Sequence, residues 1–184
     1  MRNYKEITLG EAYRLIGHGP VILVCSRSES GEYNIAPIAW NCPVKKDPFR
    51  IFMEIGMRHK TYSNILETKE FVVCVPLVGQ IDLVKNTGTS KGAEKNKFEV
   101  FDITTKKSQN VDIKVPVDCI GYIECKLLKT MELDSAGLVI GEGIRAIVHE
   151  AAFADGRLLT EKKEGKTIHH LGGKVFTYPT NEVL

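Results

Sequence analysis

The chain has 184 residues, 43% of them apolar and 26% charged, with a formal net charge of +2. A length of this order suits one domain, expected to span 1–184 and to bury roughly 70% of its unfolded surface. The balanced charge argues against the clustered basic face of a nucleic-acid binder, no apolar run reaches the ~18 residues of a membrane span, and the opening MRNYKEITLGEAY has no signal-peptide core; a cytoplasmic location is expected.

The elements follow in chain order. TLGEAYRLIGHGP reads as a short helix, with Thr8 and Glu11 at capping-box spacing and Gly17 to Pro20 ending it. VILVCS is a buried strand. SESGEYN is turn chemistry, so a second strand near Tyr33 to Trp40 makes a hairpin with the first. Pro37 falls inside it, which points to an edge or a bulge. After the DPF turn, RIFMEI is a third strand. RHKTYSNILETKEFVVCV gives a helix over Thr61 to Glu67, with Thr61 as its N-cap, and a strand over Phe71 to Val75. QIDLVKNTG is a short helix. TSKGAEKNKFEVFDITTKKSQN is a polar excursion anchored by Phe98 and Phe101, with one helical turn. CIGYIECKLLKTMEL alternates, placing Ile123, Cys125 and Leu127 on one face and Glu124 and Lys126 on the other. LVIGEGIRAIVHE is another long strand, AAFADGRLLT ends in an Asp-Gly turn, and HHLGGKVFTYP breaks at Gly-Gly before an aromatic strand. Six or more strands with short helices, no regular βαβ alternation and no long repeat favour a mostly antiparallel barrel.

Five cysteines, at 25, 42, 74, 119 and 125, form no C-x-x-C pair and lie mostly in apolar runs. They read as reduced, buried thiols, and no spacing supports a catalytic one. His169 and His170 are adjacent and diverge on any regular element, so no metal site is expected. GEGIRA has the G-x-G of a dinucleotide loop but lacks the third glycine; inside a strand pattern it reads as a bulge or a closely packed strand.

Two stretches carry chemistry. In RHKTYSN, Arg58, Lys60 and Thr61 crowd a helix start. The plain reading is a capped helix with solvated cations. The sharper one is an anion site, since helix N–H groups, a hydroxyl and cations are what a phosphate monoester requires. In YNIAPIAWNCPV, Asn34 leads a strand of small residues closed by Trp40, the only tryptophan. Either this is an ordinary edge strand whose Trp packs in the core, or its small side chains let a flat heteroaromatic ring reach free backbone groups.

NIAPIAW, RHKTYSNILETKEFVVCVP, GTSKGAEKNKF, YIECKL, IGEG and HHLGGKVFTYP, in this order, resemble the flavin reductase-like, FMN-binding split-barrel family, particularly its flavoredoxin-type branch. The resemblance runs from about Pro20 to Pro179. It implies a mainly β fold, a six-stranded antiparallel Greek-key split barrel with short flanking helices, and a homodimer with FMN near the subunit interface. By position it implies that Asn34, Trp40 and the backbone of Ala36, Pro37, Ile38 and Ala39 border the flavin. Thr61 would hold the phosphate with Arg58 or Lys60 nearby. Lys97 would reach the ring system, Phe176 would shield it, and Ser90 and Lys91 are further candidates.

Two positions depart from the family pattern. Asp134-Ser135 stands where many of these reductases carry Asp-His for nicotinamide binding, and Asn96 replaces an acidic residue before Lys97. The resemblance therefore implies an FMN-binding oxidoreductase passing hydride or electrons to a small acceptor, with NAD(P)H as one candidate donor. The alternative is a flavoredoxin-like electron carrier reduced by a partner protein. Neither needs a side-chain catalyst, because the flavin carries the chemistry.

Overall fold

The computed structural model describes residues 2–92 and 95–180. Ala93 and Glu94, in the middle of GTSKGAEKNKF, lie outside them. The chain begins with β1 (Tyr4–Ile7), α1 (Leu9–Ala12), β2 (Ile22–Arg27), β3 (Tyr33–Ile38), β4 (Asn41–Lys45), β5 (Arg50–Gly56), α2 (Lys60–Thr68) and β6 (Glu70–Val75). It continues with α3 (Ile81–Thr89), α4 (Lys97–Val100), β7 (Thr105–Lys107), β8 (Lys114–Pro116), β9 (Gly121–Leu133) and β10 (Ala136–His149). Three separate two-stranded sheets accompany the main one: β7 with β8 before the long strands, and after them β11 (Phe153–Ala154) with β12 (Arg157–Leu158) and β13 (His169–Gly172) with β14 (Val175–Thr177).

The main sheet is antiparallel throughout and runs β3-β2-β6-β9-β10-β5-β4, with β1 added on β10. β3 and β4 stand at opposite ends of this order, yet only Ala39 and Trp40 separate them in the chain. The sheet must therefore curl until its ends meet, and it closes as a barrel split between β3 and β4. β5 and β6 are consecutive but lie on either side of the β9–β10 hairpin, the non-local return of a Greek-key order. The expected antiparallel split barrel is present. Its sheet holds eight strands, because β1 and β4 join it; neither carries an alternating pattern long enough to be read as a strand.

The run of apolar residues in β2 and β6 follows from burial on both faces. Ile22 and Val24, with Phe71, Val73 and Val75, point into the barrel. Leu23 and Cys25, with Val72 and Cys74, point outward beneath Val84 of α3 and Phe98 of α4. Four of the five thiols are buried, Cys42 is exposed, and all are free. The GEGIRA segment is regular β10 interrupted by register shifts, and a Cβ on Gly141 would sit 2.2 Å from the Phe71 ring. The reading of a bulged, closely packed strand holds.

Glu124 departs from expectation. It lies on the polar side of β9's alternation but is buried, accepting the Gln109 and Asn110 N–H groups at 3.0 and 2.7 Å and Arg145 at 3.3 Å. The polar excursion folds back over this strand face and supplies its donors, which alternation alone does not reveal.

Candidate functional site

Among the described residues the outer edge of β3 has no strand partner, and a cleft of about 780 Å³ opens along it. The end of β5, the start of α2, the end of α3 and the loop after it enclose the rest. Asn34, Ala36, Pro37, Ile38, Ala39, Trp40, Arg58, Lys60, Thr61, Ser90, Lys91 and Lys97 all line it. Phe176 does not. It lines an adjoining cavity of about 440 Å³, reached past Pro37, Ala39 and His170, which border both.

At one end, α2 begins with His59 as its N-cap, in extended conformation and without a side-chain cap bond. Thr61 is thus not the cap; it sits one position inside the first helical residue. Its hydroxyl is buried and accepts Asn34 Nδ2–H at 2.8 Å, so its own hydrogen is left to donate elsewhere. The first N–H groups of a helix have no intrahelical acceptor. Tyr62 N–H turns back to His59 O at 2.9 Å, so among the described residues the N–H groups of Lys60 and Thr61 are the ones left without an acceptor, and both residues line the cleft with the Thr61 hydroxyl. Arg58 is exposed and has no ion pair among the described residues, whereas Lys60 is held by Glu32 at 2.6 Å.

Asn34 is itself pinned. A Cβ on Gly92 would lie 2.1 Å from Asn34 Oδ1, so only glycine permits this contact with the loop after α3. The spacing TSKG gave no sign of this, because the partners are separated by most of the barrel wall.

At the other end, Lys97 is only 4% exposed, and its Nζ donates to Ile35 O at 3.0 Å and Thr87 O at 2.5 Å. Thr87 lies in the last turn of α3, where carbonyls lack intrahelical partners and a cation is favoured. Among the described residues no carboxylate pairs with the ammonium, and burial pushes its pKa down to about 8. Asn96, the departure from the acidic pattern, serves as the N-cap of α4: its Oδ1 accepts Phe98 N–H at 3.1 Å. A neutral cap does that work as well as an acidic one.

Ile35 O pointing to Lys97 fixes which backbone groups face out. In an antiparallel ladder they alternate, so Pro37 also turns its backbone away from β2. Its missing N–H removes no ladder bond, and its carbonyl faces the open edge. Trp40 is 71% exposed at the cleft rim, so the core-packing alternative for it fails. Its strand ends at Ile38, and Trp40 belongs to the short link into β4.

Glu54, Ile55, Gly56, His59, Thr87, Gly88, Thr89 and His170 also line the cleft without having been anticipated. The small and hydroxyl residues of NTGTSKG were the available signal for three of them. Asp134 and Ser135 form the β9–β10 turn, Asp134 at φ +51°, and Ser135 O accepts Met57 N–H at 3.0 Å just before α2. His170 lies tilted against Phe176 with ring centroids 5.1 Å apart, and among the described residues no group of three or more His, Cys, Asp or Glu side chains is placed to hold a metal. No helix among them is long and apolar enough to cross a membrane.

A protein of Archaeoglobus fulgidus, described as uncharacterized, is 32% identical over 149 residues, covering 81% of this chain and 82% of that one. The crystal structure of an FMN-binding domain of a flavin reductases-like enzyme from Shewanella baltica OS155 superposes with a TM-score of 0.91 at 26% identity, covering 100% of this chain and 97% of the other. Flavoredoxin of Desulfovibrio vulgaris (Miyazaki F) shares the fold, with a TM-score of 0.78 at 21% identity over 90% and 89% of the two chains. Residues 16–167 match the Flavin reductase like domain, and the chain belongs to that family.

Proposed function

We propose that the cleft holds FMN and that the protein is an FMN-dependent oxidoreductase of the cytoplasm, handing electrons to a small acceptor. The observation that carries this reading is one cleft with an uncapped helix start and Thr61 at one end, an open edge of small residues along its wall, and the buried Lys97 at the other. The donor set fits the cofactor. Helix N–H groups, a hydroxyl hydrogen and the unpaired Arg58 suit a phosphate dianion. Ala36 and Ala39 leave room for a flat ring, and the Pro37 carbonyl offers it an acceptor. The Shewanella baltica structure, described as FMN-binding, supports the same assignment.

When bound, FMN supplies the hydride and electron chemistry. The chain's residues bind, orient and tune. Asn34 directs the Thr61 hydroxyl. Lys97, which lines the cleft, keeps a proton on Nζ with two of its three N–H bonds spent on backbone carbonyls and the third uncommitted among the described residues. In a desolvated position that charge favours the anionic, reduced form of a neighbouring ligand and raises its potential. Trp40 in a single chain is too exposed to exclude water. A homodimer that covers this rim would let it do so, and we include that assembly in the proposal.

A second reading, an electron carrier reduced by a partner protein, is favoured by the Asp134-Ser135 turn, which lacks the histidine expected of a nicotinamide site. Titration of the purified protein with FMN, followed by anaerobic NADH and NADPH, separates the readings. Stoichiometric binding with bleaching in seconds supports the reductase. A yellow protein bleached only by dithionite or a redox partner supports the carrier. A protein that ignores FMN overturns both.

A further inference from the structure

The smaller cavity beside the cleft has a distinct chemistry. Its floor is apolar, with Val21 and Val84 buried and Pro37 and Phe176 half-buried. Two lysines flank it, Lys85 from α3 and Lys174 from the β13–β14 turn. Neither makes an ion pair among the described residues; Lys85 Nζ instead hangs 6.0 Å over the Phe176 ring. Among the described residues no aspartate or glutamate lines the cavity. Phe176 presents one aromatic face, tilted against His170, and His170 borders both spaces. An apolar slot of about 440 Å³, walled by an aromatic ring, with Lys85 and Lys174 beside the neutral Asn86 and Thr89 at its rim, is matched by a ligand with the opposite arrangement: a flat apolar body and one negative end.

We propose that this cavity is a binding subsite for a small planar carboxylate, an aromatic acid in the simplest case, whose ring packs on Phe176 and whose carboxylate meets Lys85 and Lys174. The proposal rests on the FMN reading for its purpose only: the shared wall of Pro37, Ala39 and His170 would set such a molecule beside the cofactor, where an acceptor belongs. Binding itself requires nothing of the cleft.

The probes are benzoate and its neutral analogue benzamide, titrated calorimetrically into the FMN-saturated protein. Benzoate is expected to bind tenfold or more tightly than benzamide, the worth of a charge-assisted contact to a lysine, and to weaken as salt rises. The double variant Lys85→Gln, Lys174→Gln should lose that preference while FMN affinity stays unchanged. Phe176→Ala should weaken both probes alike. Equal affinity for the two probes overturns the proposal, as does displacement of benzoate by equimolar inorganic phosphate, which would show a plain anion site. Loss of FMN in the double variant also overturns it, since the lysines would then belong to the cofactor site. If the protein takes no FMN, the same titrations on the apoprotein still decide this point, so the two readings fail separately.

Discussion

The two ends of the cleft each place a lysine beside the ligand space, and they do so in opposite ways. Lys60 is half-buried, reaches solvent and is bound to Glu32 at 2.6 Å, which holds that carboxyl below the usual carboxylate range. Lys97 is buried, donates to two carbonyl oxygens and to no carboxylate among the described residues, and is pushed down to about 8 by that burial. A cation paired at the surface contributes little to stability; a buried one without a counter-charge is costly, and its field is left for something else to use. The cleft thus places its strongest unsatisfied field at the Lys97 end, while the α2 end works through hydrogen-bond donors.

The largest expected effect breaks the Lys97 side. Its folded pKa of about 8 lies below the ordinary 10.5. Between those values the unfolded chain holds a proton that the folded chain has released, so stability rises with pH across that window and is flat in this respect below it. The wild-type apoprotein should gain up to roughly 3 kcal/mol relative to Lys97→Met between pH 8 and 10.5, read by urea unfolding at each pH. A constant difference across the window would show that the ammonium is not desolvated. With FMN bound, the same substitution should lower the midpoint potential; an unchanged potential would remove Lys97 from the tuning role.

The next effect tests the other end. Thr61→Val keeps the volume and deletes the hydroxyl, and the lost charge-assisted bond should cost ~1.5–3 kcal/mol of FMN affinity, about tenfold or more. Riboflavin, which lacks the phosphate, should bind as before. An equal loss for both ligands would move Thr61 from the phosphate to the ring. Gly92→Ala acts on the same hydroxyl indirectly. Its Cβ must displace the Asn34 amide, so the effect should be about one ordinary hydrogen bond, ~1 kcal/mol, again confined to FMN. A stability loss without any change in affinity would make Asn34 a packing residue only.

The asymmetry was only partly legible in the sequence. RHKT announced the α2 end because helix starts are built from neighbouring residues, and local chemistry shows in local order. Even so, the cap fell on His59 rather than Thr61, since the extended backbone of His59 and not its side chain opens the helix. The Lys97 end is assembled from Ile35, Thr87 and Lys97, three separate elements, so no spacing encodes its missing counter-ion. The same holds for Glu124, whose donors come from the excursion before β9. The barrel itself was readable, because strands buried on both faces leave unbroken apolar runs. β1 and β4 were not, being short and mostly half-exposed. The resemblance makes Phe176 a shield of the ring; it lines the cavity that adjoins the cleft across Pro37, Ala39 and His170.

The smallest expected effect concerns Lys60, and its sign can be made to reverse. An anion at the start of α2 gains from Lys60 only if the lysine gives up Glu32, so part of the new attraction is offset by the old one lost. Lys60→Gln should therefore weaken FMN binding by a few-fold at most, less again at high salt, where exposed charges are screened. Glu32→Gln removes the competitor and frees the same ammonium, so FMN should bind slightly more tightly to that variant. Isothermal titrations of both at low salt suffice. Opposite signs would establish Glu32 as a rival for the phosphate, whereas weakening in both variants would mean that the ion pair holds α2 in place and that its charge never reaches the ligand.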